Sequence, residues 1–311
     1  MGTFIDLTGR RFGRLIAREI VGKTSYGNKI WKCVCDCGNV SSVRSGCLQN
    51  RQTKSCGCLQ KETQLLLGER VKTRWNNFLG EKFEGWIVSD KLREVFDGLM
   101  LGDGGLENFI KTGSTRFQYL GKHKEVSQQY KKIFEEESFE FGPKDPSYIQ
   151  HKNTTGTLSE EWFIHSHVHP FFTEQYKRWY PEGKKIVLKD LVLTPETVKH
   201  WYYGDGGLWY VHHRTDGLNF ATHCFFEQHV SFLIDKLLNI LNISEGIRSI
   251  RRKNGQQIIH VNKSVVLSLL NYIGFCDFPC YQYKWIIDNR SLYDYHKNIC
   301  PCKNLHIEEL L

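Results

Sequence analysis

The sequence contains no run approaching the roughly 20 consecutive apolar residues of a membrane span, which argues against any helical membrane segment. Its first residues, MGTFIDLTGRRFGRL, lack an apolar core of signal-peptide length, so an intracellular setting is expected. In a reducing compartment the eleven cysteines are not expected to form a disulfide framework. A strong charge bias is missing as well. The excess of 42 Lys and Arg over 34 Asp and Glu gives a net +8, which fits ordinary solubility or a basic cleft for a polyanion. The thirteen histidines show no compact metal-ligand spacing; His165, His167 and His169 alternate as they would on one strand face, possible contacts for DNA. A core is available, since 40% of the residues are apolar, and 311 residues suffice for two domains or one large domain with an appendage.

What the sequence does hold is unevenly placed. Six cysteines lie between Cys33 and Cys58, in KCVCDCGNVSSVRSGCLQNRQTKSCGCL, and clustering in a reducing cell points to metal. Four thiolates around zinc form the expected structural site, but six candidates compete for four places and spacing alone does not choose. Cys276, Cys280, Cys300 and Cys302 form a weaker group. They make a second zinc site, or the first pair is buried and the tail pair incidental; the second reading is preferred.

Residues 1–62 read as a small β-rich module, with strand-like RFGRLIAREIVG and KIWKCVCDCG separated by turn residues. Residues 63–88 are a basic linker with apolar residues at helical spacing. From 89 onward the chain repeats itself, in halves 89–190 and 191–290, followed by a tail at 291–311. SDKLREVFDGLMLGDGG opens on Ser89 as helix N-cap, and TPETVKHWYYGDGG opens on Thr194 with Pro195 at the first helical position. Both helices are expected to end in Gly-Asp-Gly-Gly, with Asp103 and Asp205 lying 102 residues apart. Strand-like runs and later helices follow each copy, and each half closes on a lysine near aromatics, Lys185 and Lys284.

A glycine inside a helix costs about 1 kcal/mol relative to alanine, so Gly98 and Gly102, four apart on one face, need a reason. A small-residue face lets a second helix approach closely; His200 and Gly204 occupy the matching positions of the other copy. An aspartate at a helix C-terminus opposes the helix dipole. Two such ends brought together place Asp103 beside Asp205, and two close carboxylates cannot both ionise comfortably without cations. Paired carboxylates with divalent metal suit phosphodiester hydrolysis.

FDGLMLGDG and VKHWYYGDG resemble the signature of the LAGLIDADG homing endonucleases, best at their Gly-Asp-Gly ends. KKIVLKDLVLTPETVKHWYYGDGGL and FPCYQYKW are similar to the second repeat of that family's single-chain branch. The resemblance covers about residues 90–290. It implies an α+β fold of two pseudo-symmetric repeats, each presenting an antiparallel sheet to DNA. It also implies Mg2+ at Asp103 and Asp205, with Gly102 and Gly204 beside them, and Lys185 and Lys284 as catalytic lysines. Asp97, Lys199 and His200 depart from the pattern within the helices. Arg116, Gln118, His213 and Arg214 are candidate DNA contacts.

The segment from DLTGRRFGRL to SCGCL resembles a small zinc module at the N-terminus of phage and bacterial DNA-binding proteins. It implies Zn2+ on Cys35, Cys37, Cys56 and Cys58, with Cys33 in reserve, and DNA contact through RRFGR or SVRSGCLQNRQTK. The expectation is thus a monomeric, site-specific double-strand DNA endonuclease, hydrolysing one phosphodiester per strand at a long asymmetric site. It would act in the cytoplasm or nucleoid of a bacterial or phage-infected cell, as a free-standing or intron-encoded protein. The alternatives are a maturase that binds its host intron RNA and a DNA-binding regulator without cleavage.

Overall fold

The alternation of Trp31, Cys33 and Cys35, all buried, against exposed or half-buried neighbours makes one face of a strand the core of the N-terminal unit. The computed structural model describes residues 5–152, 158–212, 214–252 and 255–288. They fall into two units, residues 1–77 and 78–311. In the first unit β1 (Arg11–Phe12), β2 (Leu15–Lys23), β3 (Lys29–Cys35) and β4 (Val40–Arg44) form an antiparallel sheet in sequential order. The short helix α1 (Ser45–Gln49) adds Leu48 to a core completed by Leu7, Leu15, Ala17 and Val43. Helix α2 (Cys58–Lys82) follows. Leu65, Leu66 and Leu67 are consecutive in it, point round the helix and remain exposed.

The second unit writes one pattern twice. The first copy is α3 (Asp90–Leu101), β5 (Gly104–Phe109), β6 (Ser114–Gly121), α4 (Lys124–Glu136), β7 (Ser147–Lys152), β8 (Leu158–His165) and α5 (Pro170–Trp179). The second is α6 (Pro195–Asp205), β9 (Gly206–Val211), β10 (Arg214–Ala221), α7 (Glu227–Leu241), β11 (Ile247–Arg251), β12 (Gln257–Asn262) and α8 (Lys263–Ile273), closed by a 3-10 helix over Pro279–Trp285. The sheets run β5-β6-β8-β7 and β9-β10-β12-β11, every pair antiparallel. This is the α+β architecture expected, with two pseudo-symmetric repeats. Among the described residues, no helix is long and apolar enough to cross a membrane.

Each sheet turns alternate residues toward the helices. Phe117 and Tyr119 of β6 are buried; Phe117 stacks on Phe134 of α4 with ring centroids 4.7 Å apart. In the second copy Phe220 of β10 stacks on Trp201 of α6 at 4.1 Å. Burying each such side chain is worth about 1.5–3 kcal/mol, so these rings anchor sheet to helix. Ser89 and Thr194 cap their helices, accepting from the backbone N–H of Leu92 and Thr197 at 3.1 and 3.2 Å. Strands β5, β7 and β11 and helix α5 were not among the elements read from the sequence; SYIQHK and IRSIR are short and polar, and the start of α5 lies among aromatics.

Candidate active site

Helices α3 and α6 approach closely because α3 is hollow at Gly98 and Gly102 and α6 is hollow at Gly204. A Cβ placed on Gly98 would fall 2.7 Å from the Cβ of His200 and nearer still to the carbonyl oxygen of Thr197. A Cβ on Gly204 would sit 3.1 Å from the backbone nitrogen of Asp103 and 3.2 Å from its carboxyl carbon. The Thr197 hydroxyl donates to the Glu94 carbonyl at 3.2 Å, fastening the crossing. Close packing thus brings the two Gly-Asp-Gly ends together, with Gly102 and Gly204 in van der Waals reach of each other.

The electrostatics follow from that proximity. Asp205 is half-buried, and its carboxyl is pushed up to about 7, first by burial and then by the charge of Asp103. Asp103 keeps an exposed surface but is densely surrounded, and the surrounding protein raises its carboxyl as well. Two hard oxygen donors at adjoining helix ends, each discouraged from ionising alone, suit a divalent cation.

Lys185 donates to the carbonyl of Gly104 at 3.0 Å and that of Gly102 at 3.5 Å. Lys284, buried, donates to the carbonyls of Tyr202, Tyr203 and Gly206 at 3.0, 2.6 and 2.7 Å. Each lysine caps the C-terminal end of its own repeat's helix, where a cation offsets the dipole. Their fields cross over. Asp103 is influenced more by Lys284 than by Lys185, and Asp205 more by Lys185. Burial lowers the Lys185 ammonium below its usual range, against the pull of Cys224, Asp205 and Asp103.

The sheet faces away from the helices carry the other candidates. Arg116 pairs with Glu107 at 2.7 Å and lies 3.1 Å from His165 Nδ1; Gln118 stands opposite both Gly105 and His165. The second sheet repeats this register: Asn219 stands opposite Gly207 and His260, whose Nδ1 is 2.7 Å from Asn219 Oδ1. Asn219 and His260 escaped sequence reasoning, although Asn219 lies almost one repeat length beyond Gln118. Arg214 is exposed at the start of β10, and His213 lies outside the described residues. The alternating histidines do not share a face: His167 pairs with Glu140 at 3.0 Å, while His169 is buried and caps α5, Nδ1 accepting from the Phe171 N–H. The chain leaves β8 at His165, which ends the alternation.

In the N-terminal unit the sulfurs of Cys35, Cys37, Cys56 and Cys58 all lie within 4.8 Å of one another. Cys35 and Cys58 are 3.7 Å apart, and Cys37 and Cys56 3.3 Å. Tetrahedral zinc with bonds of about 2.3 Å separates its sulfurs by about 3.8 Å, so this donor set fits. Backbone N–H groups of Cys37 and Cys56 bring the Cys35 thiol down to about 6. Against the pull of the Asn39 N–H, the Cys37 thiol is pushed up to about 11 by Cys56, burial and Cys35, as crowded sulfurs cannot all ionise without a cation. Gly57, at φ 106°, supplies the turn between two ligands. Cys33 is one pleat too deep: it is buried, and its thiol faces the Trp31 carbonyl at 3.7 Å. Cys47 stands outside the group. Cys280 is buried and Cys276 donates to the Phe278 carbonyl at 3.1 Å; Cys300 and Cys302 lie outside the described residues.

Residues 93–269 match the model of the LAGLIDADG DNA endonuclease family. The uncharacterized protein MJ1098 of Methanocaldococcus jannaschii is 29% identical over 155 residues, 48% of this chain and 56% of that protein, so the match spans little more than half its length. The probable intron-encoded endonuclease 1 of Wickerhamomyces canadensis is 24% identical over 210 residues, 65% of this chain and 87% of the relative. The solved structure of the homing endonuclease I-WcaI bound to its DNA recognition sequence has the same fold, with a TM-score of 0.56 at 24% identity, covering 67% of this chain and 91% of that one.

Proposed function

The chain belongs to the LAGLIDADG DNA endonuclease family, and we propose that it is a site-specific endonuclease that cuts both strands of a long, asymmetric duplex DNA site. The observation that carries this reading is the pair Asp103 and Asp205 at adjoining helix ends, each flanked by a lysine fixed on backbone carbonyls. Asp103 and Asp205, with the backbone of Gly102 and Gly204 beside them, would hold Mg2+. When bound, the cation neutralises phosphate charge and makes water a better nucleophile. Because burial raises both carboxyls, protons compete with the cation for them, and binding should strengthen as the pH rises. Lys185 Nζ, with one N–H beyond its two carbonyl partners, orients water, while Lys284 Nζ, its three N–H groups spent on carbonyls, offsets charge building on the phosphate through its field alone.

The open sheet faces would lie along the DNA, with Arg116, Gln118 and Arg214 as contacts, joined by Asn219, whose side chain the buried His260 holds in place. Because one chain supplies both repeats and their faces differ, the site is asymmetric and the enzyme monomeric. A gene inside an intron would suit such an activity. Zn2+ on Cys35, Cys37, Cys56 and Cys58 would staple the N-terminal unit, too small for a large core of its own.

The test is cleavage of a randomised duplex library in Mg2+ with the ends sequenced, beside Asp103→Asn and Asp205→Asn. Asparagine matches the protonated acid in shape, so both variants should fold. Recurrent breaks at one motif, reduced about 10³-fold in each variant, are expected. Breaks that persist in the variants would refute the paired-aspartate centre. Site-selective binding without cutting would make the protein a regulator, and binding confined to folded intron RNA would make it a maturase.

A further inference from the structure

The basic excess of this protein is not spread over it. Residues 1–77 carry fourteen Lys and Arg against five Asp and Glu, whereas the remaining 234 carry 28 against 29. The unit with the paired aspartates is close to neutral; the cysteine unit holds all of the net positive charge. A protein that handles a polyanion draws sequence-independent affinity from just such charge.

Within that unit a groove of about 960 Å³ runs beside the cysteine cluster, between β4, α1, the loop 50–57 and the first turns of α2. Its charged lining is Arg44, Arg51 and Lys54, with no carboxylate; serine, threonine and glutamine side chains supply most of the rest. Ser41 also lines it, with a buried hydroxyl that has no hydrogen-bond partner among the described residues. The loop is held in place. The Lys54 carbonyl accepts from the Arg14 N–H at 2.7 Å, and the Cys47 carbonyl accepts from Gln52 and Thr53. Arg51 is kept at φ 55°, a conformation arginine seldom adopts, so the chain maintains this loop at a cost. Cys56 and Gly57 are part of the lining, which ties the groove's shape to the four-cysteine site.

We propose that this groove is a second nucleic-acid site, which grips the phosphate backbone of duplex DNA without reading its sequence and supplies most of the chain's electrostatic affinity. The choice of DNA rests on the endonuclease reading above; the grip itself rests on the charge and lining of the groove. Binding energy and cutting are thereby divided between two units of one chain. A DNA segment held by the first unit is presented to the second at the high effective concentration of a tether.

The full-length, zinc-loaded protein is titrated without Mg2+ against a short fluorescein-labelled duplex of arbitrary sequence, from about 50 to 200 mM KCl, and anisotropy gives the slope of log K against log salt. The triple variant Arg44→Gln/Arg51→Gln/Lys54→Gln should flatten that slope by about 2–3, at about 0.9 per lost phosphate contact, and weaken low-salt binding about tenfold or more. The control Arg18→Gln/Lys23→Gln/Lys29→Gln removes the same charge from residues outside the groove and should change the slope less than half as much. Equal changes in both triples would reduce the effect to net charge and overturn the groove. So would an unchanged slope, or a slope change confined to an RNA duplex that binds more tightly than DNA. Should the triple variant lose zinc, single Arg44→Gln and Arg51→Gln variants read the same slope, each expected to lower it by about 0.9. Failure of the endonuclease reading would appear as absence of breaks in the library and leave this slope untouched.

Discussion

The two repeats of the larger unit share element order and sheet topology, yet they differ at equivalent positions in how much the surrounding protein commits to each residue. Lys185 reaches two carbonyls and remains half-buried; Lys284 reaches three, is buried, and lies 5.6 Å from the centre of the Tyr202 ring and 4.9 Å from that of Tyr281. Gly98 in α3 faces His200 at the matching place in α6. Arg116 on the first sheet has Gly217 as its counterpart, next to a bulge in β10, and a Cβ there would meet His260 and the Val261 carbonyl. The contrast separates two kinds of constraint. Devices that bring the helix ends together are complementary rather than identical, because one helix must be hollow where the other is full. On the sheet faces the difference is one of room: Arg116 has space for its side chain, whereas His260 and the Val261 carbonyl leave none at Gly217.

The lysines offer the largest break in this symmetry. Lys284→Met leaves three carbonyls at the end of α6 without their donor in a buried site, which should cost about 4 kcal/mol. The larger unit should then unfold about 10 °C earlier in a thermal melt. Lys185→Met removes one good and one long hydrogen bond at a wetter site and should cost about 1 kcal/mol. Equal losses in the two melts would show that the repeats hold their lysines alike.

The helix crossing comes next. Gly98→Ala forces a methyl group into Thr197 and His200 and should cost about 3 kcal/mol, since backbone on both helices would have to give. Gly102→Ala, whose nearest neighbour would be the Gly204 Cα at 3.6 Å, should stay within about 1 kcal/mol. Urea midpoints of the two variants measure the difference directly; a larger loss from Gly102→Ala would mean the helices cross elsewhere.

Much of this was legible in the sequence because it is local. Ser89, Thr194 and Pro195 announce their helices through capping chemistry, and the repeated Gly-Asp-Gly-Gly announces where both stop. The four cysteines brought together are the ones that the resemblance to a phage zinc module implied; spacing alone did not choose them from the six. What stayed hidden depends on register. His165, His167 and His169 share a spacing but not a fate, because β8 ends after the first of them. Asn219 and His260 become neighbours only through the pairing of β10 with β12, 41 residues apart in the chain. The crossed influence of each lysine on the other repeat's aspartate likewise needs the two helices packed.

The finest test concerns one position of the helix pair, Asp97 in α3 and Lys199 in α6. Lys199 is buried against its charge, but Glu196 and Asp277, both at 3.1 Å, outweigh that and raise its ammonium. Asp97 has no such settlement: burial pushes its carboxyl up to about 7, with Arg178 and Arg93 pulling it down and Asp190 pushing up. The folded state therefore binds a proton at Asp97 that the unfolded chain releases near pH 4. That contribution to stability is complete below about pH 4 and is lost as the pH rises to about 7, a change on the order of 2–4 kcal/mol. Asp97→Asn removes this dependence. At pH 8 the variant should exceed the parent by about 2 kcal/mol, and at pH 4 the two should nearly coincide. Lys199→Met should instead destabilise by a similar amount from about pH 5 to 9, because Glu196 ionises near 2 and the lysine stays charged throughout. Denaturant titrations at pH 4, 6 and 8 distinguish the two patterns, and an Asp97→Asn variant whose stability tracks the parent at all three would place the burden of that buried carboxyl elsewhere.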